Sequence, residues 1–452
     1  MSESILLPRR LCQELFQAAE QAAARAGARD IEVAFAASDE ALTRFANNEI
    51  HQNVAEQSSA MSVRTIIDGR TARVTTNRLH RDGIQAAVDQ AIALTKAAQA
   101  DPALLSLYAG TESVDGSRFS EAIANSTPAD RGRAVAEAIR IVEAKGQTAA
   151  GIYSTAQNVE ALLNSAGVFR YYQETLAQFS ITAMAEDSSG WAKASGSDPN
   201  QVQPARLAET AARKAAASRS PRELPPGRYT VILEPAAVLD LVGQIFGDFS
   251  ATAMADQRSF LNQRLGTKLF GENICISDDA GDPLQTGARF DGEGVARQPL
   301  MLVERGVVSE VAWSRSQAAK AGRKPTGHGY PLPNELGEAP VNIVLAGGSR
   351  SVEDLIAGTA NGILVTRLWY IREVEPYEKV MTGMTRDGTF LIKDGEVGCG
   401  LKNFRFNQSV IELLSNVEEL SASVRASGEE AFDMVMPGMK AHGFHFTEVT
   451  RF

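Results

Sequence analysis

Histidine is scarce in this chain: there are five in 452 residues, and none lies between His80 and His328. A long central stretch therefore offers no imidazole to a metal or to proton transfer. His442 and His445 stand as an HxxH, but Gly443 between them and the nearby chain end weaken the pair as a metal site. No HExxH and no Cys/His set of zinc spacing occurs. Cysteine is rarer still. Cys12, Cys275 and Cys399 lie far apart and form no CxxC, so no disulfide framework is expected, as in a reducing compartment. No Gly-x-Ser-x-Gly elbow or Ser-x-x-Lys in a convincing context supplies a serine nucleophile. The glycines of residues 345–349 (Leu-Ala-Gly-Gly-Ser) lack the Lys-Ser/Thr ending of a phosphate cradle and read as a turn.

Cations are also in deficit. Lys and Arg number 45 against 55 acidic residues, a formal charge of -10, which argues against nucleic-acid binding. The densest basic stretch, Arg206 to Arg222, reads as an exposed helix and its exit. No run of 18 apolar residues exists. The nearest approach, 231–249, is broken by Glu234, Pro235, Asp240 and Asp248, so no membrane span is expected. The first ten residues lack the apolar core of a signal peptide. These absences lead us to expect a cytoplasmic protein.

What is present is ordinary globular composition, 44% hydrophobic and 22% charged, long enough for about three domains. Helical periodicity marks residues 11–27 and 81–100. Between them lie strand-like runs at 30–35, 41–45 and 62–67, and Asp68-Gly69 signals a hairpin. A second block carries Ala-rich helices at 128–145 and 205–218 around strands at 150–157, 159–164 and 168–186. Pro221, Pro225, Pro226 and Gly227 mark the clearest boundary. Beyond it the pattern turns to strands, with helices expected at 236–245, 410–417 and 429–434. The fold class is α+β: an N-terminal α/β domain (1–100), a central α+β domain (101–223) and a β-rich C-terminal domain with interspersed helices (224–452). His328, in a glycine-flanked segment, is expected in an exposed loop.

Two segments are distinctive. Residues 290–295 (Phe-Asp-Gly-Glu-Gly-Val) place Asp291 and Glu293 on either side of Gly292, ahead of a strand. Residues 366–374 carry Arg367, Trp369 and Tyr370, and 385–390 read Thr-Arg-Asp-Gly-Thr-Phe, followed by Arg405 between Phe404 and Phe406. In this order they resemble the TldD/PmbA family of metalloprotease-related proteins, also described as modulators of DNA gyrase. The early Val-Arg-Thr-Ile-Ile-Asp-Gly-Arg of 63–70 fits the same family, so the resemblance spans the chain.

The resemblance implies one of two subunit types. The catalytic type carries His-Glu-x-x-x-His after the first strand of the C-terminal domain, where two imidazoles bind zinc and the glutamate activates water, with a cysteine near the chain end. Here residues 239–248 hold no histidine. Asp240 and Asp248 are hard oxygen ligands, poorly matched to such a site, and Cys399 reads as a packed thiol. The chain thus resembles the PmbA (TldE) type, and no cofactor, no metal ligand and no catalytic residue is expected.

Such subunits are similar in fold to the catalytic TldD type and pair with it, forming a cleft for unfolded peptide. The expected partner is that subunit or a second copy of this chain, with peptide bound by strand addition to a sheet edge of the C-terminal half. Candidate substrate-binding residues are Asp291, Glu293, Arg367, Tyr370, Arg386 and Arg405, with interior ion pairing as their structural alternative. Arg405 is expected to pair with Asp291 or Glu293. The tail residues Met436, Met439, Phe444, Phe446 and Phe452 suit either an interface or the domain's own core. The rival reading is a self-sufficient homodimeric peptidase with an unrecognised active site. Gyrase binding rests on the family's older description alone.

Overall fold

The computed structural model describes residues 6–450 except Ser113 and Asp115. Helix α1 (Arg9–Arg25) leads into strands β1 (Asp30–Ala46), β2 (Glu49–Ile67) and β3 (Arg70–Thr76), then helix α2 (Arg81–Ala97). The expected strands at 30–35 and 41–45 are one 17-residue strand, and 62–67 is the end of a 19-residue one. Their hairpin turns on Asn47 and Asn48, both left-handed at φ 51 and 61, a turn in which asparagine is among the tolerated residues. The expected Asp68-Gly69 turn is likewise left-handed at both positions.

Helices α3 (Glu121–Ala124) and α4 (Pro128–Glu143) precede β4 (Thr148–Asn164), β5 (Phe169–Met184) and β6 (Ser189–Gly196), and α5 (Pro204–Ala217) follows. All six strands form one antiparallel sheet in the order β3-β2-β1-β4-β5-β6. The β1–β4 ladder joins the first block to the second.

Period-2 alternation assigns the faces of this sheet. Ile31, Val33, Phe35 and Ala37 of β1 are buried with the apolar faces of α1 and α2. Further along, Phe45 packs with Phe179, Ile181 and residues of α4 and α5. The opposite face is polar where it meets the C-terminal half: Glu32 lies 3.7 Å from Arg64 and 2.6 Å from Arg73, and all three are largely buried.

The C-terminal half begins with β7 (Gly227–Leu233) and α6 (Pro235–Val242), extended by a 3-10 turn over Gly243–Asp248, then α7 (Ala251–Ala255). Strands β8 (Ile276–Asp278), β9 (Leu300–Glu304) and β10 (Val307–Val308), helix α8 (Arg315–Ala321), strand β11 (Ile343–Leu345) and helix α9 (Val352–Ala357) follow. The chain closes with β12 (Asn361–Glu375), β13 (Val380–Lys393), β14 (Glu396–Gly400), β15 (Phe404–Ser409), α10 (Val410–Ser415), β16 (Val417–Leu420), β17 (Val424–Ala426), β18 (Met434–Met436) and β19 (Met439–Val449).

Strands β12-β7-β19-β15-β13 run side by side, and β13 pairs back onto β12. The ring is therefore closed, with β14 appended to β13. A small sheet, β10-β9-β8-β11-β18-β17, packs beside it. The molecule is α+β with a β-rich C-terminal half. Among the described residues the helices at 236–245 and 410–417 are close to expectation, but 429–434 is not helical. Those residues are irregular and run into β18, because the backbone N–H groups of Glu429 and Glu430 donate to the Asp240 carboxylate instead of to a helical turn.

The tail has a single role. Met434, Met436, Met439, Phe444 and Phe446 are fully buried in the C-terminal core, with the Phe444, Phe446 and Phe404 rings stacked at 4.6–4.9 Å. They complete this domain's interior and form no surface patch. Phe452 lies outside the described residues. No helix among the described residues is long and apolar enough to cross a membrane.

Candidate functional site

The candidate residues fall into two separate groups. Tyr370, Arg386 and Arg405 line one cleft of about 580 Å³, together with Ser189, Trp369 and Met384 among others, and Arg367 lies beneath it, paired with the lining residue Asp387. Its walls are the β12, β13 and β15 strands of the barrel and the β6 strand of the N-terminal sheet. Strand alternation places Arg367 and Trp369 on one side of β12, and the ladder sets Arg367 opposite Arg386.

At the base of the cleft, Arg367 and Asp387 form a buried pair, with Nε donating to Oδ2 at 2.9 Å and Nη2 closing a second contact. Ser189 Oγ donates to the other Asp387 oxygen at 2.6 Å, which ties the sheet to the barrel. The Trp369 ring has the Arg367 guanidinium 5.3 Å and the Arg386 guanidinium 4.8 Å from its centroid, both within cation–π range.

Tyr370 has a left-handed backbone, φ 57, at an irregularity of the β12–β13 ladder. For a bulky residue this is a strained conformation. Glu430 holds it there by accepting the Tyr370 N–H at 2.7 Å and the Ile371 N–H at 3.3 Å. The side chain is 53% exposed. Backbone strain combined with an exposed aromatic beside guanidiniums is a pattern that accompanies binding sites.

Arg405 is exposed and sits between Met384 and Glu448 in the ladders. It makes no ion pair within 4.0 Å among the described residues, so the expected partnership with Asp291 or Glu293 does not exist. Strand alternation buries Phe404 and Phe406 in the barrel and turns Arg405 outward.

Asp291 and Glu293 are buried at a different place, between the N-terminal sheet and the C-terminal half. Asp291 accepts backbone N–H groups from Glu293 and Val295 at 2.9 Å and from Gly329 at 2.8 Å, fastening the turn to a neighbouring loop. Burial pushes its carboxyl above the usual range despite these donors. Glu293 meets Arg315 at 3.0 Å, and Arg315 continues to the Ser106 carbonyl at 2.8 Å. Burial, with the Asp291 charge adding to it, outweighs Arg315 and raises the Glu293 pKa to about 7. Glu293 and Asp291 each line a cavity of their own, apart from the Tyr370–Arg405 cleft.

His328 also departs from expectation. It is buried, not on an exposed loop, with Nε2 3.0 Å from Asp278 and Nδ1 2.9 Å from Thr326 Oγ1. Asp278 in turn accepts the N–H groups of Val341 and Asn342. Cys399 is half-buried on β14.

The segment 239–248 contains no histidine and no cysteine. Asp240 Oδ1 accepts the N–H groups of Glu429 and Glu430 at 2.9 and 3.0 Å, and burial raises its pKa to about 6. Asp248 pairs with Lys379 at 2.6 Å and accepts the Phe260 N–H. Gln244 bridges the Asp240 and Glu430 carbonyls. Asp240 Oδ2 is buried without a hydrogen-bond partner, but no group of three His, Cys, Asp or Glu side chains able to hold a metal occurs among the described residues. A zinc site built on imidazole and thiolate does not fit here.

The sequence matches the PmbA/TldA metallopeptidase domain 1 over residues 31–95, its central domain over 127–219 and its C-terminal domain over 226–448. The chain belongs to the PmbA/TldD family. A metalloprotease of Methanothermobacter thermautotrophicus is 26% identical over 60% of this chain and 62% of its own length. Metalloprotease PmbA of Escherichia coli O157:H7 is 22% identical over 66% and 65%. The chain thus spans less than two thirds of the length of these curated relatives. Among solved structures, a protein described as a modulator of a DNA gyrase from Thermotoga maritima superposes with TM-score 0.87 at 19% identity, covering 96% of this chain and all of that one. TldE from Thermococcus kodakarensis gives 0.85 at 21%, covering 96% and 99%. At these identities the structural likeness carries the PmbA/TldD fold.

Proposed function

We propose that this chain is a PmbA/TldE-type subunit that holds no metal, pairs with a catalytic TldD-type subunit or a second copy, and helps form the cleft through which unfolded peptide reaches the metal centre of its partner. The observation that carries this reading is the segment 239–248, free of histidine and cysteine, inside a metallopeptidase-family fold. The protein would act in the cytoplasm, as three successive domains, 1–100, 101–223 and 224–452.

The peptide contacts in this reading come from the Trp369–Arg405 cleft. Exposed Tyr370 and Trp369 offer rings to apolar side chains, while Arg386 and Arg405 offer donors to peptide carbonyls and carboxylates. Strand addition to the barrel does not support the reading, because the β12–β13 ladder closes the ring and, among the described residues, only the short strands β14 and β16 are appended to it. The cleft therefore holds peptide by side chains, and the buried Asp291 and Glu293 position the loops without touching it.

Mixing this protein with a catalytic-type homologue tests the proposal. Hydrolysis of an unfolded peptide should rise well above that of the homologue alone, and Arg386→Ala with Arg405→Ala should reduce the gain. Equal rates with and without this chain, or hydrolysis by this chain alone, would contradict it.

A further inference from the structure

A cavity of about 400 Å³ lies between the N-terminal sheet and the C-terminal half, apart from the Tyr370–Arg405 cleft. Its floor is the helix-free face of the sheet. On that face Ala36 stands opposite Ala60 and Glu160, and Ala34 stands opposite Leu162. Three of these five positions are alanine, so the face stays shallow where larger side chains would fill the space. Phe290, Tyr330 and Pro331 of the C-terminal half form the opposite wall.

Three polar side chains line this space without a bonding partner. Among the described residues Glu160 makes no hydrogen bond and no ion pair, and the Tyr330 hydroxyl makes no hydrogen bond. Arg297 donates from Nε to the Ala288 carbonyl at 3.2 Å. Its two terminal nitrogens donate to nothing, and Nη1 is buried in that state. A carboxylate and a guanidinium close enough to feel each other commonly close into a bidentate pair. Here the Arg297 charge acts on both Glu160 and Tyr330, yet the three groups stay apart around an open space.

Glu160 is exposed to solvent. Even so, the protein packed around it pushes its carboxyl above the usual range, with the Glu174 charge adding to this and the Arg297 charge opposing it. A carboxylate both reached by water and crowded by protein faces a cleft, not open surface. Glu160 and Arg297 also line a second cavity of about 380 Å³, so they stand at the neck between the two spaces.

We infer that this cavity binds a small apolar zwitterion, a free α-amino acid or a dipeptide. Glu160 accepts from its ammonium, Arg297 and the Tyr330 hydroxyl donate to its carboxylate, and its apolar side chain lies on Ala34, Ala36, Leu162 and Phe290. Each charge of such a ligand meets the opposite charge that the protein leaves unpaired. A simple anion would be repelled by Glu160, and a simple cation by Arg297. The volume falls in the range of about 300–1,000 Å³ usual for small-molecule sites, which set a few convergent polar groups on apolar walls. The second cavity gives room for a ligand longer than one residue. No residue of segment 239–248 or of the Tyr370–Arg405 cleft takes part, so the inference neither needs the subunit reading nor falls with it.

The test is isothermal titration of the full chain with leucine, leucyl-leucine, N-acetyl-leucine and leucinamide. Leucine or leucyl-leucine should bind, and blocking either end of leucine should weaken binding by about tenfold or more, the effect of one charge-assisted hydrogen bond. Glu160→Gln should weaken leucine binding as much as acetylation does, and acetylation should then cost the variant little more. Ala36→Leu should fill the floor and abolish binding with the polar groups still in place. Both positions are exposed, so unchanged melting curves serve as the folding control. Absence of binding by both leucine and leucyl-leucine at millimolar concentration would overturn the inference. Equal binding of all four probes, or native affinity in Glu160→Gln, would do the same.

Discussion

The six-stranded sheet of residues 30–196 is open, with β3 and β6 as its outer strands and β6 bound by side chains to the C-terminal half, whereas the barrel strands between residues 227 and 449 return on themselves through the β12–β13 ladder. The two regions use the same strand chemistry to opposite ends. In the barrel, Val231, Leu233, Ile363, Val365, Phe404, Phe406, Phe444 and Phe446 are all buried within one core, and outward positions such as Arg405 are left free for ligands. In the sheet, helices cover one face and the other is shared between buried ion pairs and solvent. Closure leaves the barrel without a free edge along the β12–β13 seam, whereas the sheet stays open. The cleft of Tyr370, Arg386 and Arg405 lies where the two meet.

Breaking the barrel interior should have the largest effect. Phe446→Ala removes a fully buried ring that touches Phe404 and Phe444, and should lower unfolding free energy by about 3–5 kcal/mol in chemical denaturation. Loss of the seam between the regions comes next. Arg367→Ala leaves Asp387 buried without its guanidinium, a change of about 3 kcal/mol, and it should also weaken peptide binding by disturbing Trp369.

The buried acid between the two regions makes a prediction in pH. With its folded pKa raised to about 7 from 4.5, neutral Glu293 favours the folded state, and this contribution is full below about pH 4.5. It is lost as pH rises through about 7, a span of up to about 3 kcal/mol. Native protein should therefore lose stability between pH 5 and 8. Glu293→Gln should show a shallower loss, with Asp240, raised to about 6, leaving a residual slope of the same sign. A variant slope as steep as the native one would remove Glu293 as its source.

Relief of local strain should be smaller and of opposite sign. Tyr370→Gly at φ 57 should stabilise the fold by about 1 kcal/mol and weaken peptide binding in the same variant.

Much of this organisation was readable from residue patterns. The apolar stripes of α1, α2, α4 and α5 and the Asp68-Gly69 turn are local signals, and the structure follows them. The Asn47-Asn48 hairpin was equally local and is a signal the strand reading passed over. Barrel closure was not legible, since it depends on ladders between segments up to some 200 residues apart, such as β7 with β19. Of the candidate residues, Tyr370, Arg386 and Arg405 line one cleft, a grouping that depends on the β12–β13–β15 ladders. Arg405 was assigned a buried carboxylate partner because alternation fixes which way it faces only relative to its neighbours, not what lies there. His328 was misplaced because flanking glycines suggested exposure, whereas Asp278, fifty residues away, provides a buried partner.

The central claim is that this metallopeptidase-family chain carries no metal centre of its own, and its most direct test is zinc content per chain. Purified protein would be washed with chelator, re-exposed to equimolar zinc, desalted and analysed by mass spectrometry, with unfolded-peptide hydrolysis followed on the same sample. The expected result is far less than one zinc per chain and hydrolysis no faster than buffer. Tightly bound zinc at one per chain, together with hydrolysis that chelator abolishes, would contradict it.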